Sequence, residues 1–256
     1  MNVILKTSRD IFVGCAGWSL RKEVAASFPA SGSQLERYAG EFNSVEVNTS
    51  FYRSHQIKTY QRWAASTPPG FRFAVKTPKE ITHKRRLVNV GPLLAQFVLE
   101  AQGLANKLGA LLVQLPPSLV FDETIAEKFF AEIRCLVDTP IVCEPRHSSW
   151  FSAGADELLL KHRIGRVAAD PSVHPLGAEP GGYKQICYFR LHGSPRMYFS
   201  TYGEADLTDL ADRIITIVSS GALVWCIFDN TGEGAATRNA IELSCLVGGK
   251  KLNVGK

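Results

Sequence analysis

Apolar residues along this chain fall into short continuous runs that alternate with stretches of helical periodicity. The apolar runs predict strands at residues 11–18, 44–48, 71–76, 110–115, 139–147, 166–171, 185–193 and 223–230. Apolar residues three or four positions apart predict helices at residues 33–42, 57–65, 92–108, 123–135, 155–162, 207–218 and 235–246. Strands that are apolar almost throughout are typical of a parallel sheet covered by helices on both faces.

Eight strands alternating with helices over 256 residues predict an α/β fold, a single (β/α)8 TIM-like barrel. The alternative is a doubly wound open sheet, which has a glycine-rich turn after its first strand and an acidic residue further on. Residues 14–17 (GCAG) lack the third glycine of that turn. The proline and glycine clusters at residues 67–70, 116–117 and 180–182 are short, as loops within one domain are. We therefore expect one domain over residues 1–256.

Composition and charge narrow the class of protein. With 45% hydrophobic and 21% charged residues, the composition is that of an ordinary soluble globular protein. The net charge is +5, and basic residues are bunched at residues 83–86 and at Lys250, Lys251 and Lys256. This distribution favours anionic partners, although a solvated loop and a frayed tail would also explain it.

The sequence predicts a cytoplasmic protein with no membrane segment. Only four apolar residues precede Lys6, which is too few for a signal peptide. The apolar stretch at residues 214–228 is interrupted by Ser219, Ser220 and Gly221, and it is shorter than the roughly 20 residues that a membrane span needs. Six cysteines without a CxxC pair indicate reduced thiols in a reducing compartment.

Polar side chains lie at the ends of nearly all the predicted strands. The carboxyl ends of barrel strands meet at one mouth, and barrel enzymes carry their active sites there. One buried ion pair could be purely structural, but the convergence of many polar residues favours a functional pocket. We expect this pocket to be formed by Glu46, Asn48, Lys76, Gln114, Glu144, Arg146, Asp170, Arg190, His192, Asp229 and Asn230.

The residue types suggest roles within this pocket. Acid, base or proton-transfer chemistry would fall to Glu46, Glu144, Asp170, His192 and Asp229. Because arginine and lysine suit phosphate or carboxylate groups, substrate binding would fall to Asn48, Lys76, Gln114, Arg146, Arg190 and Asn230. The acids and His192 could instead hold a divalent metal, so the cofactor stays open; no HExxH or paired-cysteine spacing is present in the sequence.

The chain resembles the YecE-like family of bacterial and archaeal proteins, known as domain of unknown function 72. The matching segments are GCAGW at 14–18, VEVN at 45–48 with FY at 51–52, TPPGF at 67–71 with Lys76, ITH at 81–83, LVQLPP at 112–117, Glu144 with RH at 146–147 and SW at 149–150, RLHG at 190–193, and FDNT at 228–231. One departure is SHQ at residues 54–56, where a proline is expected. The resemblance implies a TIM-like barrel, distantly similar to sugar-isomerase-type barrels, and no established activity.

Two classes of function remain open. The first is an enzyme that acts on a small phosphorylated or sugar-like substrate, by phosphoester hydrolysis or sugar isomerisation. The second is a non-catalytic binder of anions or nucleic acid, which would use residues 83–86, the C-terminal lysines and the aromatic residues near the strand ends. Binding to nucleic acid should weaken steeply with salt, because phosphate contacts release counterions.

Overall fold

A computed structural model of the protein describes residues 10–248. Its strands are β1 (Ile11–Cys15), β2 (Ser44–Val47), β3 (Arg72–Lys76), β4 (Leu108–Gln114), β5 (Ile141–Glu144), β6 (Ile164–Arg166), β7 (Ala168–Asp170), β8 (Gly181–Gly182), β9 (Ile186–Leu191) and β10 (Leu223–Phe228). Its α-helices are α1 (Gln34–Ala39), α2 (Ile57–Ala65), α3 (Gly91–Ala101), α4 (Glu123–Leu136), α5 (Ala153–Lys161), α6 (Glu204–Ser219) and α7 (Ala235–Gly248).

The strands form two hydrogen-bonded sheets that meet at both edges. One sheet has the order β1-β10-β9-β7 and the other β2-β3-β4-β5-β6-β8, and β8 pairs antiparallel with β6. A bridge between Ala16 and Glu46 joins β1 to β2. On the opposite side, β6 and β7 are halves of one strand, separated by Val167, which pair with β5 and β9 respectively. Eight parallel strands, with β6 and β7 counted as one, thus form a ring, and the predicted TIM-like α/β fold is confirmed.

Successive side chains of each strand point alternately into the ring and toward the helices, because a strand repeats every two residues. Outward residues such as Val75 and Val113 pack with helix residues such as Leu94 and Phe129. The inner apolar cluster contains Phe12, Ala74, Ala110, Leu112, Val142, Val167, Ile186, Tyr188, Trp225 and Ile227. A residue two positions beyond an inner residue therefore lies on the inner face, nearer the mouth.

The helices have one buried face, as their periodicity predicts. In α4, the Asp122 carboxylate caps the first turn by accepting a hydrogen bond from the Ile125 N–H at 2.9 Å, and Phe129, Phe130 and Ile133 are buried. Within residues 10–248, no helix combines the length and the apolar character needed to cross a membrane.

Most predicted elements differ from the structure by a few residues at their ends, and two differ in a way that needs a structural explanation. The predicted helix at residues 92–108 stops at Ala101, and a 3-10 segment, Gln102–Lys107, leads into β4; Ala105 has a φ of 51° there. The predicted strand at residues 166–171 begins at Ile164 and is interrupted at Val167. The interruption at Val167 is the point where the strand changes its pairing partner from β5 to β9. Local periodicity does not encode such a change, because it depends on a distant part of the chain.

Candidate functional site

Period-two alternation brings most of the predicted site residues to the inner face of the mouth. Five lie two positions beyond an inner apolar residue: Lys76 after Ala74, Gln114 after Leu112, Glu144 after Val142, Arg190 after Tyr188 and Asp229 after Ile227. Glu46 reaches this group from β2, and His192 reaches it from just beyond β9. Fixed positions on rigid strands bring these side chains into one network.

Arg190 is the centre of this network. Its side chain is 0% exposed. Its Nε lies 2.9 Å from Glu46 Oε2 and its Nη2 lies 2.7 Å from Glu46 Oε1, which is a bidentate contact. Its Nη1 is 3.0 Å from Glu144 Oε2, and its Nη2 is 3.0 Å from Asp229 Oδ2. Because the N–H groups of Arg190 are directed at protein carboxylates, this geometry favours a positioning role over direct contact with a substrate anion.

His192 bridges two of the same carboxylates. Its Nε2 lies 3.0 Å from Glu144 Oε1, and its Nδ1 lies 3.1 Å from Asp229 Oδ2. Ionised carboxylates only accept hydrogen bonds, so the two carboxylates favour a ring that donates from both nitrogens. Burial alone would lower the pKa of His192, but Glu144 and Asp229 outweigh burial and raise it. Both ring nitrogens are thus engaged, and neither is free to accept a proton from a ligand.

The carboxylates of the network are held by cations and hydrogen bonds. Burial would raise the pKa of Glu144, but Arg190 and His192 outweigh burial and keep it well below its ordinary value. The pKa of Asp229 is lowered by the same two cations, again against burial. Gln114 Nε2 donates to Glu144 Oε2 at 2.9 Å, which orients that carboxylate further. Glu144 and Asp229 are therefore anions at neutral pH.

Lys76 differs from the other cations because it lacks a partner. Its side chain is buried at the end of β3, with 7% exposure, and its Nζ lies 4.4 Å from the centroid of the Phe51 ring. Among residues 10–248 its ammonium forms no hydrogen bond and no salt bridge. Burial and the charge of Arg190 lower the pKa of Lys76 to about 8, against the attraction of the nearby carboxylates. Lys76 is therefore a largely buried cation at the mouth that has no direct hydrogen-bond or salt-bridge partner among the described residues.

His83 is a site residue that the sequence reasoning missed, because it was assigned only to a basic segment. It lies on a π-helical turn, Glu80–Lys84, and its ring packs edge-on against Phe51 with centroids 4.9 Å apart. Burial, followed by the charges of Lys76 and Arg146, lowers the pKa of His83. π-Helical turns occur frequently at functional sites. The match of residues 81–83 to the family pattern is the sequence signal that could have indicated it.

Arg146 lies at the rim of the network. Its Nε is 3.3 Å from Glu144 Oε1, and its side chain is 17% exposed. It contacts one carboxylate of the network and lies 3.4 Å from His192 Nε2 through its Nη2, whereas the Arg190 guanidinium contacts three carboxylates. The partial exposure of Arg146 leaves its guanidinium accessible from the mouth.

Asp170 and Asn230 lie outside the network, which corrects the expectation that they line the pocket. Asp170 is opposite Leu191 in the β7–β9 register, on the outer face, and its Oδ2 accepts a hydrogen bond from the Tyr202 hydroxyl at 2.7 Å. Asn230 follows the inward Asp229, and its Nδ2 donates to the Ser200 carbonyl at 2.9 Å. Asp170 ends β7 and Asn230 lies two residues beyond β10, but their position in the two-residue repeat directs them away from the mouth.

Asn48 lines a cleft of about 470 Å³ between the segments that follow β1, β2 and β10. The lining also includes Trp18, Arg21 and Thr237. The Oδ1 atom of Asn48 is buried and has no hydrogen-bond donor among the residues described. A buried acceptor left unpaired costs about 1–3 kcal/mol, so this cleft offers an acceptor to a ligand that carries a hydroxyl or amino group.

The network does not fit a divalent metal. Within residues 10–248, no three His, Cys, Asp or Glu side chains are arranged to hold a metal ion. At the mouth, the guanidinium of Arg190 lies among the three carboxylates, where a cation would have to bind. A ligating histidine must be neutral, whereas both nitrogens of His192 donate protons.

The basic segment at residues 83–86 is partly neutralised within the protein. Lys84 Nζ lies 2.9 Å and Arg85 Nε 3.6 Å from the Glu80 carboxylate. Arg86 Nη2 donates to the Ser118 carbonyl at 2.7 Å. The C-terminal lysines, which a non-catalytic binder would use together with this segment, lie outside the described residues.

A ring of eight parallel strands with a buried charge network at its carboxyl-end mouth defines the class of this protein as a TIM-like barrel with a polar mouth site. The model of the family described as "Protein of unknown function DUF72" matches residues 12–255, and the chain belongs to this family.

Comparisons with relatives agree with this assignment. The chain is 31% identical over 154 residues to UPF0759 protein YecE of Escherichia coli (strain K12), a match that covers 60% of this chain and 55% of YecE. It is 28% identical over 269 residues to UPF0759 protein YunF of Bacillus subtilis (strain 168), covering 91% of this chain and 93% of YunF. The match thus spans little more than half the length of YecE and nearly all of YunF.

Two solved structures have the same fold. A DUF72 family protein from Enterococcus faecalis V583 superposes with a TM-score of 0.77 at 20% identity, covering 93% of this chain and 95% of that chain. A DUF72 family protein from Thermotoga maritima MSB8 gives a TM-score of 0.76 at 24% identity, covering 93% and 99%. At these identities the likeness supports the fold alone.

Proposed function

We propose that this chain is an enzyme that acts on a small phosphorylated or sugar-like substrate at the mouth of the barrel. The observation that carries the proposal is Lys76, a largely buried residue whose ammonium forms no hydrogen bond or salt bridge within residues 10–248. A buried charge without a partner destabilises a fold, and strongly perturbed ionisable groups in clefts are typical of functional sites. An anionic ligand group would supply the missing partner.

The charge balance of the mouth supports an anionic ligand. The carboxylates of Glu46, Glu144 and Asp229 face the cations Arg190 and His192, which leaves one net negative charge. Lys76 and Arg146 change this balance to one net positive charge. The N–H groups of Arg190 are already directed at protein carboxylates. Anion binding would therefore use Lys76 and Arg146.

The cleft beside Asn48 supports a hydroxyl-bearing substrate. The unpaired Oδ1 of Asn48 would accept a hydrogen bond from a sugar hydroxyl, and the ring of Trp18 lines the same cleft. Its volume of about 470 Å³ lies within the range that small-molecule sites occupy. A substrate that filled this cleft and also reached Lys76, which does not line it, would carry both hydroxyls and an anionic group.

Phosphoester hydrolysis and sugar isomerisation both require proton transfer. His83 is the better proton carrier in this site, because its lowered pKa keeps the ring neutral at neutral pH. The two ring nitrogens of His192 are already bound to carboxylates. In this proposal His192 and Arg190 position the acids Glu46, Glu144 and Asp229, and Asp170 and Asn230 act only on the surrounding loops.

A thermal-shift screen against inorganic phosphate, sugar phosphates and free sugars tests the proposal. A ligand at a hundred times its Kd adds about 2.7 kcal/mol of stability. The shift should be lost in Lys76→Met and kept in Lys79→Met, because Lys79 lies three residues further on with its Nζ over the Tyr52 ring. A shift that Lys76→Met leaves unchanged, or no shift with any of these compounds, would contradict the proposal.

Turnover separates the enzyme from the non-catalytic binder. Ligands that stabilise the protein are incubated with it, and phosphate release and sugar isomers are measured. Product formation that disappears in His83→Gln supports the enzyme. Binding without product favours an anion-binding protein, and a salt-sensitive shift with oligonucleotides alone favours a nucleic-acid-binding protein.

A further inference from the structure

Three nitrogen-bearing side chains at the mouth have hydrogen-bond donors without an acceptor among the described residues. They are Lys76 at the end of β3, Arg146 just beyond β5 and His83 on the π-helical turn. We infer that these three residues bind the terminal oxygens of a phosphate monoester, and that they select this class over carboxylates, phosphodiesters and uncharged sugars. This inference rests on the proposed function, because it uses the same site, and it deepens that function by naming the ligand group and the residues that select it.

The guanidinium of Arg146 is only weakly held by its neighbours. Its Nε forms an ion pair with Glu144 Oε1 at 3.3 Å, and its Nη2 lies 3.4 Å from His192 Nε2 and 4.0 Å from the Met197 sulfur. The carboxylates beside His192 favour a ring nitrogen that donates, and a thioether sulfur is a weak acceptor. Within residues 10–248, Arg146 therefore has no strong acceptor besides Glu144, and its planar fork can bind two oxygens of a ligand.

His83 contributes a third donor. Its Nδ1 lies 2.9 Å from the Thr82 hydroxyl oxygen, and its Nε2 forms no hydrogen bond with any residue that the structure describes. When the Thr82 hydroxyl donates to Nδ1, the ring proton lies on Nε2. A neutral His83 then donates one hydrogen bond to a ligand oxygen. Because Thr82 is 0% exposed, this partner is fixed in place.

The three donors lie around one part of the mouth. The centroid of the Phe51 ring is 4.4 Å from Lys76 Nζ and 4.9 Å from the centroid of the His83 ring. The charges of Lys76 and Arg146 both lower the pKa of His83, so Arg146 is close to this ring as well. No hydrogen bond joins these three residues to one another. A ligand group between them would therefore receive donors from three different elements.

The number of donors matches a phosphate monoester. Such a group has three terminal oxygens and a charge of about −1.5 to −2 at pH 7. Lys76 and Arg146 supply two positive charges, because the carboxylates of the network are already directed at Arg190 and His192. A carboxylate and a phosphodiester each offer two charged oxygens and one negative charge. Either would leave one donor without an acceptor, which costs binding free energy.

Binding of a matched ligand series at pH 7 tests this inference. Titration calorimetry measures the Kd of the phosphate ester, the sulfate ester, the methyl phosphodiester and the carboxylate, each built on glycerol and on glucose, with glycerol and glucose as uncharged controls. The sulfate ester keeps three terminal oxygens but carries one charge, so it separates oxygen number from charge. We expect the phosphate ester to bind about tenfold or more tighter than the carboxylate and the diester, because a further charge-assisted hydrogen bond forms, with the sulfate ester between them.

Variants localise the selection. Arg146→Met and His83→Leu should each weaken the phosphate ester more than the carboxylate, because the two donors that remain still match two oxygens. Arg213→Met is the control, because Arg213 on α6 also pairs with one carboxylate, that of Glu179 at 2.9 Å. It should leave both affinities unchanged. The ligand series on the wild type tests the inference even where a variant does not fold.

The outcomes separate this inference from the proposed function. Equal affinities for the phosphate ester and any other charged member of the series, both abolished by Lys76→Met, would overturn the selection and leave the proposed function standing. A phosphate preference that Arg146→Met leaves unchanged would also overturn it. No binding by any compound of the series would overturn both. A preference that Arg146→Met and His83→Leu reduce and Arg213→Met keeps would support the inference.

Discussion

At the scale of single residues, Arg190 and Lys76 show two opposite ways in which a cation is kept inside this barrel. The planar guanidinium of Arg190 reaches three carboxylates at once, a geometry that the ammonium of lysine does not have. Lys76 lies near the same acids without contacting them, beside the ring of Phe51. Arg190 therefore holds the network together, whereas Lys76 is available to a ligand.

Removal of Arg190 should cost much of the stability of the fold. Arg190→Met leaves Glu46, Glu144 and Asp229 buried without their common partner, and breaking a buried pair in this way costs about 3–5 kcal/mol. Urea unfolding at pH 7 measures the change. Lys161→Met is the control, because Lys161 pairs with Glu127 at 64% exposure and a surface pair is worth about 1 kcal/mol or less. Equal stability of the two variants would refute the central role of Arg190.

Removal of the Lys76 charge should have the opposite effect. The pKa of Lys76 is lowered to about 8 from 10.5, so the unfolded state binds more protons between these pH values and wild-type stability rises with pH there. Lys76→Met should therefore stabilise the protein by about 3 kcal/mol at pH 7, and this gain should vanish above about pH 10.5. Chemical unfolding at both pH values tests this. Destabilisation at pH 7 would mean that Lys76 has a partner in the fold.

His192 should make stability depend on pH in one direction. Its pKa is raised on folding, so its stabilisation is complete below the ordinary value of 6.5 and is lost as the pH rises through the folded value. Glu144 and Asp229 act in the opposite sense, losing their stabilisation as the pH falls through their lowered values. The wild type should be more stable than His192→Gln at acidic pH, and this difference in the free energy of unfolding should shrink as the pH rises. An advantage that grows with pH would contradict a protonated His192.

At the scale of the elements, strand positions were predictable and the direction of some side chains was not. The polar ends of β3, β4, β5 and β9 stand out after apolar runs, which is why Lys76, Gln114, Glu144 and Arg190 could be predicted. Both faces of a parallel strand are apolar, so the sequence does not say which face is inside. Asp170 was included in the pocket for this reason, although it faces outward.

His83 illustrates a second limit at the scale of the elements. Its π-helical turn lies between β3 and α3, and its ring reaches the site through Phe51, which comes from the segment after β2. No local periodicity encodes such a contact between two loops. The charge of the neighbouring Lys84, Arg85 and Arg86 also obscured it, because those residues suggested an anion-binding surface.

At the scale of the whole molecule, the ring has a narrow junction between β1 and β2. The bridge between Ala16 and Glu46 joins the two sheets there, with the Gly17 amide donating to the Glu46 carbonyl at 2.9 Å. Inside the second sheet, the Thr77 amide donates to the Leu112 carbonyl at 2.8 Å with strand pairing on both sides. Local opening should therefore begin at the junction.

Hydrogen exchange tests this junction. The Gly17 amide should exchange at least about tenfold faster than the Thr77 amide, because fewer hydrogen bonds must open with it. Glu46→Gln should widen the difference, since it weakens the contact of Glu46 with Arg190 beside the junction. Equal protection of the two amides would show that the ring opens as one unit. The assignment of residues 1–256 to one domain stays a prediction that cooperative unfolding of the whole chain would support.

The ionisation of Lys76 is the property on which the account of the site depends. An NMR titration of the Lys76 side-chain nitrogen, assigned with Lys76→Arg, measures its pKa directly in the free protein and with dihydroxyacetone phosphate or glycerol 3-phosphate bound. The account predicts a pKa of about 8 in the free protein, raised when glycerol 3-phosphate pairs with the ammonium. A pKa near the ordinary 10.5 in the free protein would contradict the unpaired, buried lysine and the function built on it.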